Sequence, residues 1–264
     1  MVEKVTVREP PKIFTPEYYA RMRELESSSW WNEGMRDIAR MLLSRARLPA
    51  RGVMLDAGCG AGQTMAAFLE WNRNWRAVGV DLSLDALALA RQQSLPVCSA
   101  TALRLPVADK SVDLVVSLDV LQHLPLDGGD SVALSEFARI LISGGVLLIR
   151  TNSQSFPRTN DDKAFSFRKY TRSILRERLV AAGFEIETLG TCNAVPGLAE
   201  IPRELRAARY DRNEYHGILA SPARRASPLH SILRTWLRFE GRAMIAGLPL
   251  PLGRTLFALC RLRK

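Results

Sequence analysis

The sequence predicts an α/β protein built on a mostly parallel sheet with helices on both faces. Short, continuously apolar segments such as GVMLDAG have the length and composition of strands that are buried on both sides. Segments whose apolar residues recur at helical spacing alternate with them along the chain. A glycine-rich turn also follows the first apolar segment. Strands and helices that alternate in this way indicate parallel strands joined by crossover helices.

The predicted strands begin near residue 52 and continue to the end of the chain. Gly, Asp and Ser residues lie at the ends of most of these segments, and such residues favour turns over strands. The segments are GVMLDAG, RAVGVDLS, SVDLVVSLD, SGGVLLIR and FEIETLG, followed by RTLFALCRL, whose apolar residues alternate as in a last strand.

Capping residues mark most of the predicted helices. Ser, Thr and Asp side chains accept hydrogen bonds from the first amides of a helix, and acidic residues in the first turn match its dipole. The predicted helices are PEYYARMRELE after Thr15, one that begins near Asn32, one over Gln63–Trp71, one opened by Ser83 and Asp85 that runs through Ala90, one capped by Asp130, and one capped by Thr171 and ended by Gly183.

Cysteine spacing and hydropathy exclude several classes of protein. The four cysteines are far apart, with no CxxC pair and no histidine at metal spacing, which predicts reduced thiols and no structural metal site. The longest apolar stretch near the end contains two prolines and Arg254, so a membrane-spanning helix is not expected. The charged, proline-bearing start is not a secretory signal. We therefore expect a cytoplasmic protein without a bound metal.

Positive charge is concentrated towards the end of the chain. The formal net charge is +10, and thirteen basic but only five acidic residues lie between Gly197 and Lys264. Such a region is typical of proteins that bind nucleic acid, anionic lipid or a phosphorylated substrate, and equally of an ordinary solvated surface. Charge alone does not choose among these.

The turn after the first strand, within VMLDAGCGAGQT, predicts a ligand site. Its glycines alternate, at Gly58, Gly60 and Gly62. A dinucleotide site requires GxGxxG, and the position of its third glycine is occupied here by Gln63. Instead, Asp56 precedes the loop, and Asp81 ends the next strand, where a carboxylate can accept hydrogen bonds from ribose hydroxyls. The pattern favours a nucleoside with an amino-acid tail over a dinucleotide.

With these residues the sequence resembles the class I S-adenosylmethionine-dependent methyltransferases. VMLDAGCGAGQT matches their first motif and AVGVDLS their second, and the similarity continues through TALRLPVADKSVDLVVSLDVLQHL and ALSEFARILISGGVLLI to KYTRSILRERLVAAGFEIETLG. The resemblance implies a three-layer αβα sandwich with a Rossmann-like, seven-stranded, mostly parallel sheet whose last strand is antiparallel. It also implies S-adenosyl-L-methionine as cofactor and S-adenosyl-L-homocysteine as product.

The resemblance divides the chain into a catalytic domain and two additions. Residues 49–190 and 248–264 would form the cofactor-binding domain. Residues 1–48 would supply helices that close over the cofactor, and residues 191–247 would form a helical lid that contributes to the substrate site.

The resemblance also assigns cofactor contacts residue by residue. The alternating glycines would line the methionine part, Asp81 would bind the ribose, and Leu82 would lie against the adenine. Thr101 stands where the family often has an acid that binds the adenine amino group, and a hydroxyl accepts that bond only weakly. The implied contacts are Asp56, Ala57, Gly58, Gly60, Gly62, Asp81, Leu82, Thr101, Ala102, Leu103, Leu118, Asp119 and Arg36, of which Leu118 and Asp119 would face the sulfonium and Arg36 the cofactor carboxylate.

The acceptor side is less determined. His123, just past the fourth strand, is a candidate general base for a hydroxyl or phenol acceptor, although a histidine here also fits a packing role. Trp30 and Trp31 either close over the cofactor or fix helices to the core. By location alone, the lid offers further substrate contacts at Asn193, Tyr210, Tyr215 and Trp236.

Four functions follow from these patterns. The leading hypothesis is methyl transfer to the oxygen, nitrogen or carbon of a small metabolite. A nucleic acid substrate is disfavoured, because SLDVLQHL lacks the Asn/Asp-Pro-Pro-aromatic box of enzymes that methylate base amino groups. A third hypothesis is a membrane-associated methyltransferase of a lipid, quinone or glycolipid, with Trp236, Leu237, Phe239, Met244 and Ile245 resting on an anionic surface. A fourth is a protein that binds the cofactor without catalysis.

Overall fold

The computed structural model contains a seven-stranded sheet with helices on both of its faces. The structure describes residue 19 and residues 29–154, 168–195, 228–248, 250 and 252–263. The strand order is β3-β2-β1-β4-β5-β7-β6, and β7 pairs antiparallel with both of its neighbours. The predicted α/β class, with a mostly parallel sheet and an antiparallel last strand, is therefore confirmed. The strands are β1 (Val53–Ala57), β2 (Arg76–Asp81), β3 (Val97–Ser99), β4 (Val112–Leu118), β5 (Leu141–Asn152), β6 (Phe184–Cys192) and β7 (Thr255–Leu262).

The described helices cover both faces of the sheet. They are α1 (Trp30–Arg45), α2 (Gln63–Trp71), α3 (Leu84–Arg91), α4 (Gly129–Ile140), α5 (Arg172–Ala181) and α6 (Pro228–Ile245), with a 3-10 turn at Leu121–His123. On one face, a core cluster joins α1, α2 and α6 to the sheet, and on the other face a second cluster joins α4 and α5 to it. The result is the three-layer arrangement that the sequence predicts.

Local capping explains where most of these helices begin. Ser83 and Thr171 accept hydrogen bonds from Ala86 N and Ile174 N, as predicted. Ser29 caps α1 through Trp31 N, so this helix begins at Trp30 rather than near Asn32. The predicted cap at Asp130 is wrong: Gly128 precedes α4, and Asp130 lies in its first turn with a buried carboxylate.

Helices α1 and α6 pack closely, side by side and in the same direction. A Cβ atom added at Gly34 would lie 2.6 Å from Leu237 Cδ1, and one added at Gly241 would lie 2.7 Å from Ile38 Cγ1. Arg234 of α6 reinforces the contact through ion pairs with Glu33 at 2.6 Å and Asp37 at 2.8 Å on α1. Glycine thus allows two helices from opposite ends of the chain to approach each other.

Three features differ from the sequence predictions. Strand β3 has only three residues and was not predicted. Strand β7 is buried on both faces rather than alternating, because it lies between β5 and β6 inside the sheet. The predicted lid begins inside β6, and its last part is α6, which packs on α1 and β6. The rest of the lid, at 196–227, and the helix PEYYARMRELE apart from residue 19 lie outside the described residues, so the division into three parts stays a prediction.

Candidate cofactor and acceptor site

The glycine loop folds back onto β2 directly after β1. Gly58, Gly60 and Gly62 have φ angles of 81°, 52° and 85°, a region that L side chains rarely adopt. The amides of Gly58 and Cys59 both donate to Val80 O, at 2.8 and 3.0 Å. This backbone conformation favours glycine at all three positions.

The three glycines differ in what surrounds them. A Cβ atom at Gly58 would lie 2.2 Å from Val120 Cγ2, and one at Gly62 would lie 2.3 Å from Leu95 Cδ1. At Gly60 a Cβ atom would meet nothing within 4 Å. Gly58 and Gly62 therefore serve packing, whereas Gly60 exposes its backbone to open space that a ligand can approach closely.

Asp81 connects this loop to the end of β2. Its Oδ2 accepts a hydrogen bond from Gly60 N at 2.8 Å, and its Oδ1 accepts one from Ser83 N at 2.9 Å. Each carboxylate oxygen retains a further lone pair for a ligand hydroxyl. The next side chain, Leu82, is 71% exposed, which is unusual for leucine and leaves an apolar surface beside the carboxylate.

Tyr19 lies beside the end of β2. Its hydroxyl hydrogen-bonds with Ser83, and burial together with the negative charges of Asp81 and Asp85 raises its pKa despite that bond. The sequence predicts that the region around Tyr19 closes over the cofactor, and that closure stays a prediction. Arg36 is half-buried on α1, and its contact with a cofactor carboxylate stays a prediction.

Three residues in and next to the glycine loop, Asp56, Ala57 and Cys59, are buried. Asp56 is 1% exposed in β1, in register with Gly79 of β2. Ala57 ends β1 within the second core cluster. Cys59 is buried in the loop itself, and desolvation raises the pKa of its thiol, with the negative charges of Asp56 and Asp81 adding to the effect. This thiol is therefore protonated and unreactive at neutral pH.

Thr101 is occupied within its own turn. Its Oγ1 accepts a hydrogen bond from Leu103 N at 3.2 Å, and its carbonyl accepts one from Arg104 N at 3.2 Å. Ala102 is buried and Leu103 is half-buried, both against the second core cluster. The hydroxyl at this position thus stabilises the turn, and its contact with adenine stays a prediction.

An arginine that the sequence analysis did not single out lies at the end of β5. Arg150 donates from Nε and Nη2 to Asp119 Oδ2, at 3.0 and 2.6 Å, and its Cζ lies 5.0 Å from the centre of the Trp31 ring. Asp119 follows Leu118 at the end of β4 and has a φ of 60°. Such a conformation is strained for a non-glycine residue and is concentrated at functional sites. The only signal in the sequence was an arginine that ends an otherwise apolar strand.

The turn that carries His123 is fixed to β5. Gln122 Oε1 accepts hydrogen bonds from Thr151 Oγ1 and Asn152 N, both at 3.0 Å. His123 is exposed, yet the surrounding protein desolvates the imidazole and lowers its pKa, against the opposing effect of the charge on Asp119. The neutral imidazole, which is the form that can accept a proton, therefore predominates at pH 7.

Two buried asparagine side chains lie at the carboxyl ends of β5 and β6. Asn152 and Cys192 both align with Thr255 of β7, so Asn193 lies two strands away from Asn152. Within the described part of the chain, Asn152 Oδ1 and Asn193 Oδ1 lack hydrogen-bond partners, although the two residues are only 6% and 3% exposed. Unpaired buried polar atoms are costly and are typical of sites that a ligand or water completes.

The remaining lid candidates are divided by the structure. Trp236 lies on α6, 41% exposed, and its Nε1 donates to Glu240 Oε1 at 2.7 Å. Tyr210 and Tyr215 lie outside the described residues.

A recess of about 500 Å³ lies towards the opposite end of the strands, away from the glycine loop. It is lined by Arg45, Arg47, Glu187, Thr188, Leu259 and Arg261. Across the described ranges, no group of three or more His, Cys, Asp or Glu side chains could hold a metal ion, and no helix could cross a membrane.

Comparison with known proteins finds similarity in the central part of the chain. Residues 55–149, from β1 through most of β5, match the family described as "Methyltransferase domain". The chain is 34% identical over 154 residues to a probable S-adenosylmethionine-dependent methyltransferase of Mycolicibacterium smegmatis. The aligned region covers 56% of this chain and 58% of that protein.

Another relative has a nucleic acid substrate in its name. The chain is 32% identical over 102 residues to the tRNA (carboxymethyluridine(34)-5-O)-methyltransferase of Arabidopsis thaliana, over 39% of this chain and 24% of that protein. The chain thus spans less than two thirds of the length of these curated relatives.

A solved structure extends the fold comparison to nearly the whole chain. Phosphoethanolamine N-methyltransferase 2 of Haemonchus contortus, in complex with S-adenosyl-L-methionine, superposes with a TM-score of 0.62 at 19% identity, covering 96% of this chain and 58% of that chain. At this identity the likeness concerns the fold.

Proposed function

From the premise that this chain carries a class I S-adenosylmethionine-dependent methyltransferase domain, we propose that it binds S-adenosyl-L-methionine at the carboxyl ends of β1, β2 and β4 and methylates a small organic acceptor. The observation that carries the proposal is the pairing of Gly60 with Asp81. The open backbone at Gly60 suits close approach of an amino-acid tail, and the Asp81 carboxylate beside it suits a ribose.

The residues around this pair complete the cofactor site. Asp81 is already fixed by two backbone amides, so it meets the ribose hydroxyls without losing side-chain freedom. Leu82 covers one adenine face with its exposed side chain, and Tyr19 limits access of water from the N-terminal side. When bound, the cofactor supplies a methyl group activated by a positively charged sulfur.

The acceptor lies on the β4–β5 side of the edge. Arg150, whose guanidinium lies over the Trp31 ring, fixes the Asp119 carboxylate, whose Oδ1 then accepts a hydrogen bond from the acceptor and orients it. The neutral His123 imidazole takes the proton that a hydroxyl acceptor loses as the methyl group is transferred. Asn152 and Asn193 offer carbonyl oxygens to further donors of the acceptor. This arrangement favours an acceptor that carries several hydroxyl or N–H groups.

A second candidate function is methylation of RNA. The observation that favours it is the similarity to the plant tRNA methyltransferase, together with the basic residues after Gly197. It predicts retention of tRNA by the purified protein at low salt and release as salt rises. Retention that is absent at low salt would dismiss this candidate.

The decisive experiment measures cofactor affinity by calorimetry. Asp81→Ala removes the hydrogen bonds to the ribose and should weaken binding of S-adenosyl-L-methionine by about 2–3 kcal/mol, roughly 100-fold. Asp85→Ala is the matched control, because Asp85 is an exposed acid in the first turn of α3, four residues away. Equal affinity of the Asp81 variant and the natural protein, or tighter binding of a dinucleotide, would overturn the assignment.

A further inference from the structure

Helix α6 presents an apolar stripe to solvent. Leu229, Ile232, Trp236 and Phe239 are 60%, 62%, 41% and 58% exposed. Their spacing of three, four and three residues places them along one side of the helix. The rings of Trp236 and Phe239 lie 5.7 Å apart, so the two aromatic side chains form one continuous surface.

The opposite side of α6 is already used by the fold. Leu237 and Met244 are buried against α1 and β6, and a Cβ atom at Gly190 would lie 2.3 Å from Met244 Cγ. The five residues that the sequence assigned to a membrane surface are therefore divided: Trp236 and Phe239 face outward, whereas Leu237, Met244 and the partly buried Ile245 pack against the core. The outward stripe is not needed for packing within the described residues.

The exposed charged residues of α6 are all basic. Arg238 and Arg242 are both exposed, and Arg238 Nε also lies 3.9 Å from Asp37 Oδ2 of α1. The single acidic residue of α6, Glu240, is 3% exposed and accepts hydrogen bonds from Ala194 N, Val195 N and Trp236 Nε1. An apolar stripe on a helix whose exposed charges are all positive is complementary to an anionic lipid surface.

The stripe lies next to the candidate active-site edge. Met244 packs at the level of Gly190 near the end of β6, and Glu240 binds the amides that directly follow this strand. Because α6 runs from residue 228 towards 245, its earlier turns, with Leu229, Ile232 and Trp236, extend beyond the carboxyl end of the sheet. A surface bound there would be close to the proposed acceptor site.

We propose that this face of α6, comprising Leu229, Ile232, Trp236, Phe239, Arg238 and Arg242, docks on the surface of an anionic membrane. The four apolar side chains enter the boundary between headgroups and acyl chains, and the two arginines contact lipid phosphates. Trp236, whose Nε1 is held by Glu240, keeps its polar edge bonded while its ring is presented outward. The inference depends on this helix face and is independent of the proposed chemistry.

Flotation with vesicles tests the proposal. The full-length protein should float with vesicles of phosphatidylcholine mixed with phosphatidylglycerol, and much less with phosphatidylcholine alone. The double variant Ile232→Ser, Phe239→Ser should lose at least about tenfold in vesicle affinity. The matched control is Ile174→Ser, Val180→Ser, which changes two residues of α5 that are 38% and 42% exposed, and it should float like the natural protein.

A charge variant and two further measurements separate the outcomes. Arg238→Gln, Arg242→Gln should reduce flotation at low salt, with the difference shrinking at high salt. Thermal unfolding and cofactor calorimetry should be unchanged in the α6 variants, so a failure here is distinguishable from a failure of the proposed methyl transfer. No flotation with anionic vesicles, equal loss in the α5 control, or preferential retention of RNA would each overturn the membrane assignment.

Discussion

At the scale of single residues, the site combines groups of the same type that do different work. Gly58 and Gly62 are confined by Val120 and Leu95, whereas Gly60 is open on its ligand side. The motif spacing identified all three glycines, but it carried no information about their neighbours, which come from other parts of the chain. The role of Arg150 was not predicted for the same reason, because its partners Asp119 and Trp31 are distant in the sequence and meet it only in the folded chain.

His123 provides a prediction at this scale. The pKa of its imidazole should lie below the ordinary value of 6.5, because the surrounding protein partly desolvates the ring and so disfavours the charged form. The folded state then binds this proton less tightly than the unfolded state, so His123 favours folding less as pH falls below about 6.5. Asp119→Asn should lower the pKa further, since the carboxylate opposes the shift.

NMR titration of the histidine ring protons measures this pKa without any knowledge of the acceptor. His123→Gln identifies the signal among the three histidines of the chain. A value at or above 6.5, or a rise in the Asp119→Asn variant, would contradict the environment described for the candidate base.

At the scale of elements, the sequence predicts best what is decided locally. Ser83 and Thr171 cap their helices as expected because each side chain accepts a hydrogen bond from an amide only three positions away. Asp130 was assigned to a cap by the same logic and instead binds distant groups. Its carboxylate contacts Arg168 Nη1 at 2.9 Å and the Tyr170 hydroxyl at 3.2 Å, with Arg178 at 3.6 Å.

Asp130 should therefore be a structural centre that joins α4, α5 and the segment before α5. Asp130→Ala should lower the free energy of unfolding by about 3–5 kcal/mol, because it leaves the largely buried guanidinium of Arg168 without its carboxylate partner. Tyr170→Phe removes one hydrogen bond from the same group and should cost only about 1 kcal/mol. Urea denaturation measures both, and an Asp130→Ala cost no larger than that of Tyr170→Phe would refute the assignment.

At the scale of the whole molecule, the arrangement in layers was predictable from the sequence, but strand β3 and the packing of α1 against α6 were not. Alternating apolar segments and helices specify a parallel sheet covered on both sides, and family resemblance supplies the antiparallel last strand. The short β3 escaped prediction because three residues carry no periodicity. The partnership of α1 with α6 escaped because it joins residues about 200 positions apart, through glycines that a helix would otherwise disfavour.

This partnership gives the last prediction. In an isolated helix, Gly34→Ala would add up to about 1 kcal/mol of helix stability. Here the added methyl group would lie 2.6 Å from Cδ1 and 3.1 Å from Cβ of Leu237, a side chain that is fully buried. Overpacking of this kind costs about 1–3 kcal/mol, so the variant should be less stable overall.

Ser44→Ala, at an exposed position of the same helix, is the control and should leave stability unchanged or slightly increased. Thermal unfolding of the two variants separates helix propensity from packing. If Gly34→Ala melted above the natural protein, α1 and α6 could not be as close as described. The outward position of the α6 stripe, which depends on that packing, would then also need revision.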